Sequence, residues 1–174
     1  MSPTALFGLQ FSFSLVLSGL VAKWYLAPRL AAVPVSVGLP PLFLVHALRY
    51  LPSSAFAPGQ IDPRAPMDAM AAIAYGDLGS ALLALVAAAF LYYRFRGAVA
   101  VAWVVNGITS LDWLYAGYLA ASSQLVTHPL GGNWYIVNYY VPLIGVVHVL
   151  IFARLLGTRT MAAPVPTVSA YRRE

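Results

Sequence analysis

Two aspartates, Asp77 and Asp112, each fall near the middle of a long apolar run, and His46, Asn106 and His148 occupy similar runs. Ionisable and amide groups are costly in hydrocarbon, so each of these residues must be paired, hydrated or neutralised, and each is a functional hypothesis in itself. If Asp77 and Asp112 face each other, they resemble paired carboxylates in which one holds a proton that the other has lost. Such a pair suits proton relay, cation binding, or acid and base chemistry on a lipophilic substrate. Two histidines on different helices also raise the question of a bis-histidine haem.

Composition defines the elements that must position these groups. The chain has 174 residues, 61% of them hydrophobic and only 9% charged, whereas soluble domains carry about 25% charged residues. With a mean hydropathy of +0.78, it reads as an all-α integral membrane bundle. The absence of Cys removes disulfides, thiol redox chemistry and Cys-ligated metal sites. A net charge of +5 would admit a nucleic-acid partner, but the basic residues flank apolar stretches instead of forming a patch, so none is expected.

Five apolar stretches reach the length of about 20 residues that a crossing needs. They lie near Thr4 to Leu26, Leu30 to Leu51, Met67 to Tyr93, Gly97 to Ala121 and Trp134 to Leu156. Residues 1–157 form one transmembrane bundle on this reading, and 158–174 form a cytoplasmic, disordered basic tail. The second stretch contains Pro34, Pro40 and Pro41, each of which removes a helical hydrogen bond. It is expected to cross as a kinked helix, the alternative being four full spans plus a broken or re-entrant segment. Lys23, Arg29, Arg94, Arg96, Arg154, Arg159, Arg172 and Arg173 fall on one side and only Arg49 and Arg64 on the other. The charge bias therefore puts the C-terminus in the cytoplasm and the N-terminus outside. The first stretch has no basic leader region and is read as a retained helix in a multi-pass bacterial inner-membrane protein.

Counting about 1.5 Å per residue from the outer ends orders the polar groups by depth. Arg49 and Asp68 come within about 5 Å of the boundary and read as an interfacial pair. Gln10, His46 and Asn138 follow at about 6–9 Å, Asp77 and Asp112 at about 13–15 Å, and Asn106 and His148 at about 21–23 Å. The implied offset of about 13 Å between His46 and His148 argues against a shared haem, so no cofactor and no metal is expected. His46 and Arg49 share one helix side, and Asn106, Thr109, Asp112 and Trp113 form a stripe on another. Around Asp77, the run Tyr75-Gly76-Asp77-Leu78-Gly79-Ser80 is small enough to act as a packing seam. Trp24, Tyr25, Tyr92, Tyr93, Trp134 and Tyr135 read as interfacial anchors. Trp103, Trp113, Tyr115, Tyr118, Tyr139 and Tyr140 either line an aromatic pocket or simply pack and face lipid.

Motif searches are negative for a P-loop, a dinucleotide fingerprint, His-Glu-x-x-His and Gly-x-Ser-x-Gly, so nothing marks an enzyme. The segments His46-Ala47-Leu48-Arg49, Ala74-Tyr75-Gly76-Asp77-Leu78 and Asn106 to Asp112 resemble those of uncharacterised small bacterial polytopic inner-membrane proteins, a resemblance that brings no activity with it. More distantly, the arrangement is similar to the emopamil-binding and sigma-2-receptor-like fold, whose members bind sterol-like or cationic amphipathic ligands between helices with buried acids. That analogy puts Asp77 and Asp112 in comparable roles. The reading taken here is a bundle that binds a lipophilic or amphipathic small molecule in a polar pocket open to the outer side, drawing on Gln10, His46, Tyr75, Asp77, Asn106, Asp112, Trp113, Asn138 and His148. Alternatives are a small proton-coupled transporter using Asp77 and Asp112, a membrane enzyme acting on a lipid or isoprenoid, and an accessory subunit of a larger complex. Expected partners are membrane lipids, with a homo-oligomer or a membrane complex also open.

Overall fold

The computed structural model describes residues 1–160, the side chains of 158–160 excepted, so the expected disordered tail lies, from residue 161 onward, outside the described residues. Helix α1, Pro3–Ala31, starts with the Ser2 hydroxyl accepting from the Ala5 N–H at 3.2 Å and widens into a π-turn over Ala22–Leu26. That turn lies just ahead of Pro28, whose ring nitrogen has no proton for the helical ladder. Helix α2, Val35–Ala47, runs on into a 3-10 segment, Leu48–Phe56. Helices α3, Met67–Tyr92, and α4, Ala98–Ser122, are joined by a tight turn at Gly97, whose φ of 83° a residue without a Cβ adopts freely. A 3-10 turn, Leu125–Thr127, precedes α5, Asn133–Gly157, which contains a second π-turn at Ile136–Tyr140. The helix continues through Thr160, past the expected bundle limit at 157.

Among the described residues, four helices, α1, α3, α4 and α5, are long and apolar enough to cross a membrane. At 25–29 residues each they measure about 38–44 Å, more than the roughly 30 Å of a hydrocarbon core. The protein is a multi-pass membrane protein. Large apolar side chains such as Leu9, Phe13, Val16 and Leu111 cover its outer faces, as contact with lipid requires.

The second apolar stretch differs from the single kinked helix expected for it. Pro52 interrupts the α pattern by withholding an N–H, and from Leu48 onward the chain winds as a 3-10 helix. The α part is about 20 Å long and the 3-10 part about 18 Å. Together they run antiparallel to α5 from end to end. Arg154 Nη2 donates to the Val33 carbonyl at 2.5 Å, the Tyr140 hydroxyl to the Val45 carbonyl at 2.7 Å, and the Ser54 hydroxyl to Asn133 Oδ1 at 3.2 Å.

The main apolar core lies toward the end of the bundle that carries Lys23, Arg29, Arg94 and Arg96, here called the basic end. There Leu39 and Phe43 of α2, Leu91 of α3 and Ile151 and Leu155 of α5 close over the buried alanines Ala84, Ala87 and Ala88. Small residues on α3 let neighbouring helices approach closely, which is how a bundle gains van der Waals contact where lipid offers no hydrophobic drive. A smaller cluster, Ala55, Met70, Leu125 and Leu130, seals the opposite end, the loop end. There the Asp62 N–H donates to the Pro129 carbonyl at 3.1 Å and joins the two long loops.

In the same loop, Asp62 accepts from the Arg64 backbone N–H at 2.9 Å and from its guanidinium at 2.7 and 3.1 Å. These bonds hold the Asp62 carboxyl down at about 2 instead of its usual 3.8. A depressed carboxylate contributes above its unfolded value and loses that contribution as pH falls through its folded value. The expected result is that Asp62 titrates near pH 2 by carboxyl-carbon NMR in micelles, and that Arg64→Gln moves the midpoint upward toward the unperturbed range. An unshifted midpoint in the parent protein would show that the pair does not form.

Candidate functional site

Arg49 is the second residue of the 3-10 segment and is 2% exposed, the largest fully buried side chain in the described protein. Its Nε donates to Asp77 Oδ1 at 2.7 Å, its Nη1 to the Thr109 carbonyl at 2.8 Å, and its Nη2 to Asp112 Oδ2 at 2.6 Å. Nη2 also lies 2.5 Å from Asp77 Oδ1. The Ser80 hydroxyl donates to Asp112 Oδ2 at 2.8 Å. Three elements thus meet at one guanidinium, and two carboxylates stand against a single positive charge. Gly76 makes this possible, because a Cβ there would land on Asp112 Oδ1.

The interfacial pair of Arg49 with Asp68 does not form. Asp68 is exposed in the first turn of α3, whereas Arg49 is inside the bundle. The physical reason is that the helical segment runs on to Phe56, five residues past the expected end at Leu51, with a larger rise per residue adding the remainder. Measured from Phe56 at about 2 Å per residue, Arg49 lies about 14 Å deep, level with the two aspartates instead of at the surface. The carboxylates expected to face one another do converge, with Arg49 between them.

The same correction applies to the histidines. His46 falls near 19 Å on the 3-10 rise, the expected offset from His148 disappears, and the two rings stand 4.2 Å apart between centroids. The two rings therefore lie at similar depth and in contact, and the offset that set them apart in the sequence reading is absent. His148 Nδ1 lies 2.9 Å from both Asn106 Oδ1 and Ser110 Oγ. Asn106 spends its own N–H on the His148 carbonyl at 3.3 Å, and Ser110 donates its proton to the Asn106 carbonyl at 2.6 Å, so both atoms facing Nδ1 are acceptors. Nδ1 is then the protonated nitrogen, and Nε2 is left with its lone pair. That Nε2 and both ring nitrogens of His46 make no hydrogen bond among the described residues. Among the described residues, no three His, Asp or Glu side chains converge to hold a metal ion.

A cavity of about 880 Å³ lies on the loop-end side of the ion cluster. Its walls are mostly apolar, with Phe7 and Phe11 from α1, Ile73 from α3, Leu114 from α4 and Val137 from α5, and polar Thr4, Gln124, Thr127 and Asn133 toward the loop end; among the described residues Asp77 is the one ionisable residue that lines it. Trp113 also borders it, donating from Nε1 to the Val141 carbonyl at 3.2 Å. Its indole is seated over Gly145, where a Cβ would stand 2.9 Å from the ring.

Of the nine candidate ligand-binding residues, Asp77 and Trp113 therefore border the cavity. Asp112 stands behind Asp77 on the shared guanidinium, and His46, Asn106 and His148 form a buried group beyond Trp113, whose ring lies 6.4 Å from that of His148. Gln10 accepts from Trp134 Nε1 at 2.9 Å and ties α1 to α5, whereas Asn138 donates to the Trp134 carbonyl at 2.8 Å within α5 and keeps a buried Oδ1 that makes no hydrogen bond among the described residues. Tyr75 is exposed and packs on Phe56. Tyr115, Tyr118 and Tyr139 face outward, while Trp103 packs on Phe152 and Tyr140 bridges to α2. The central part of Arg49, the supporting hydroxyls of Ser80 and Ser110, and the walls formed by Phe7 and Phe11 were not legible in the sequence. A lone arginine next to a proline-interrupted run was the available signal.

Residues 6–156 match a family model described as a domain of unknown function, DUF8737. No curated protein and no solved structure matches the chain at a significant level. The matched region contains the whole Arg49, Asp77 and Asp112 cluster and the histidine pair, and the chain belongs to the DUF8737 family.

Proposed function

We propose that this protein is a five-crossing bacterial inner-membrane protein that binds a lipophilic or amphipathic small molecule in the cavity, with Asp77 holding its polar end. The observation that carries the reading is the position of Asp77. Among the described residues it is the single ionisable group on a wall that is mostly apolar, the other polar positions being Thr4, Gln124, Thr127 and Asn133, and its side chain stays partly accessible, at 12%, while Arg49 grips one oxygen. The cavity volume lies within the roughly 300–1,000 Å³ of small-molecule sites, which are mostly apolar with a few placed polar groups. Arg49 bonds Asp77 through Oδ1 and leaves Oδ2 as an acceptor, which favours a hydrogen-bond donor or cation as the ligand's polar end. The fifth crossing is supported by the end-to-end run of residues 33–54 along α5, and the orientation by the clustering of Lys23, Arg29, Arg94 and Arg96 at one end. On that orientation the cavity lies in the outer-leaflet half of the bundle.

The test is native mass spectrometry of gently solubilised protein, followed by titration with a long-chain alkylammonium. A bound lipophile in the parent protein, and alkylammonium affinity lowered about ten- to a hundredfold by Asp77→Asn, are expected, since a hydrogen bond to a charged group contributes about 1.5–3 kcal/mol. Asp112 still holds Arg49 in that variant. A parent protein that is empty and takes up no alkylammonium would overturn the proposal.

A further inference from the structure

The geometry points to a portal between α1 and α4 through which a hydrocarbon chain enters the cavity sideways from the bilayer. This inference rests on the cavity being a ligand site and specifies where its ligand comes from. Helix α1 leans on α5 and on the Leu125–Thr127 turn but does not pack along α4. A cleft is left on that side. On α4, Leu114, Gly117 and Ala121 stand at i, i+3 and i+7, so they share a face, and all three border the cavity while also being exposed at the outer surface of the bundle. Leu114 is 59% exposed although it belongs to the cavity wall, a combination that an enclosed chamber does not produce. Across from them on α1 stand the half-buried rings of Phe7 and Phe11.

Depth decides what the cleft meets. Gly117 and Leu114 lie about 8 and 12 Å along α4 from Ser122, and α4 exceeds the hydrocarbon thickness by only about 8 Å in all, so both positions fall within the lipid chains. A Cβ built on Gly117 finds no atom within 4 Å, so this sill is open space. Water gains nothing from a cleft walled by Phe, Leu, Ala and Gly, whereas an acyl chain or the tail of an amphiphile fills it without losing its surroundings. A molecule dissolved in the membrane can thus bring its polar end to Asp77 while its tail stays continuous with the lipid.

Trp113 reports on the cavity directly. The experiment keeps Trp113 as the sole tryptophan, with Trp24, Trp103 and Trp134 replaced by Phe, and reconstitutes the protein into vesicles of phosphatidylcholine brominated on its acyl chains. The expected result is that Trp113 loses most of its emission, that iodide in the aqueous phase leaves it unchanged, and that Gly117→Phe restores it. If iodide quenches and brominated chains do not, the cleft faces water and the portal is wrong, while the pocket stands. If neither quenches, or if Gly117→Phe protects nothing, the portal is likewise overturned, and the alkylammonium titration separately decides the pocket. Should loss of the bond from Trp134 to Gln10 prevent folding, Trp134 is retained and emission is read as the difference from the matching Trp113→Phe protein.

Discussion

Arg49→Met lowers the unfolding free energy by about 3–5 kcal/mol, the cost of removing one partner from a buried ion pair and leaving the other uncompensated. Here the loss is aggravated by geometry. The guanidinium separates two carboxylates, so its removal leaves Asp77 and Asp112 facing each other in a medium that screens their repulsion weakly, and it takes the side-chain donor from the Thr109 carbonyl. Adding Asp77→Asn and Asp112→Asn to Arg49→Met recovers most of the loss, because neutral amides of nearly the same shape carry no charge to strand. Unfolding by SDS in mixed micelles, followed by circular dichroism, measures both. Were Arg49→Met neutral, the carboxylates would have to be satisfied by something other than the guanidinium, and an ionic centre of the bundle would no longer describe this protein.

The second large effect separates two glycines three residues apart on α3. Gly76→Ala places a methyl group on Asp112 Oδ1, so the carboxylate must withdraw from Arg49 and Ser80 or α3 must shift from α4. Overpacking together with a lost charged hydrogen bond amounts to about 2–4 kcal/mol of destabilisation. Gly79→Ala meets no atom within 4 Å and removes only the conformational freedom of a mid-helix glycine, so it is neutral or stabilising by about 0.5–1 kcal/mol. The same micellar unfolding assay compares them. Equal effects at both positions would mean that α3 and α4 are not in contact at the ion cluster. The contrast also defines the packing seam read from Tyr75 to Ser80: Gly76 is the close approach, Gly79 faces open space, and Ser80 serves the seam through its hydroxyl.

What this sequence determined by itself follows from local physics. A near absence of charge over windows of some twenty residues can be satisfied only by a membrane, so the long helices α1, α3, α4 and α5 were legible with ends within a few residues. Helical periodicity likewise placed Asn106, Thr109 and Asp112 on one inward stripe, because three- and four-residue spacings superpose on any α-helix whatever surrounds it. The depth of Arg49 and His46 was not legible, because it depends on where the helical segment ends and on how far the chain rises per residue. Pro52 and the packing of residues 48–56 on α3 turn that stretch into a 3-10 helix and carry both side chains inward. The partner of Arg49 also belongs to the tertiary structure alone: its nearest acidic neighbour in sequence is Asp62, yet its carboxylates come from residues 28 and 63 positions away. So does the cavity, since a void between α1 and α4 arises from helices that fail to meet, and no residue pattern within either helix encodes a contact that is absent.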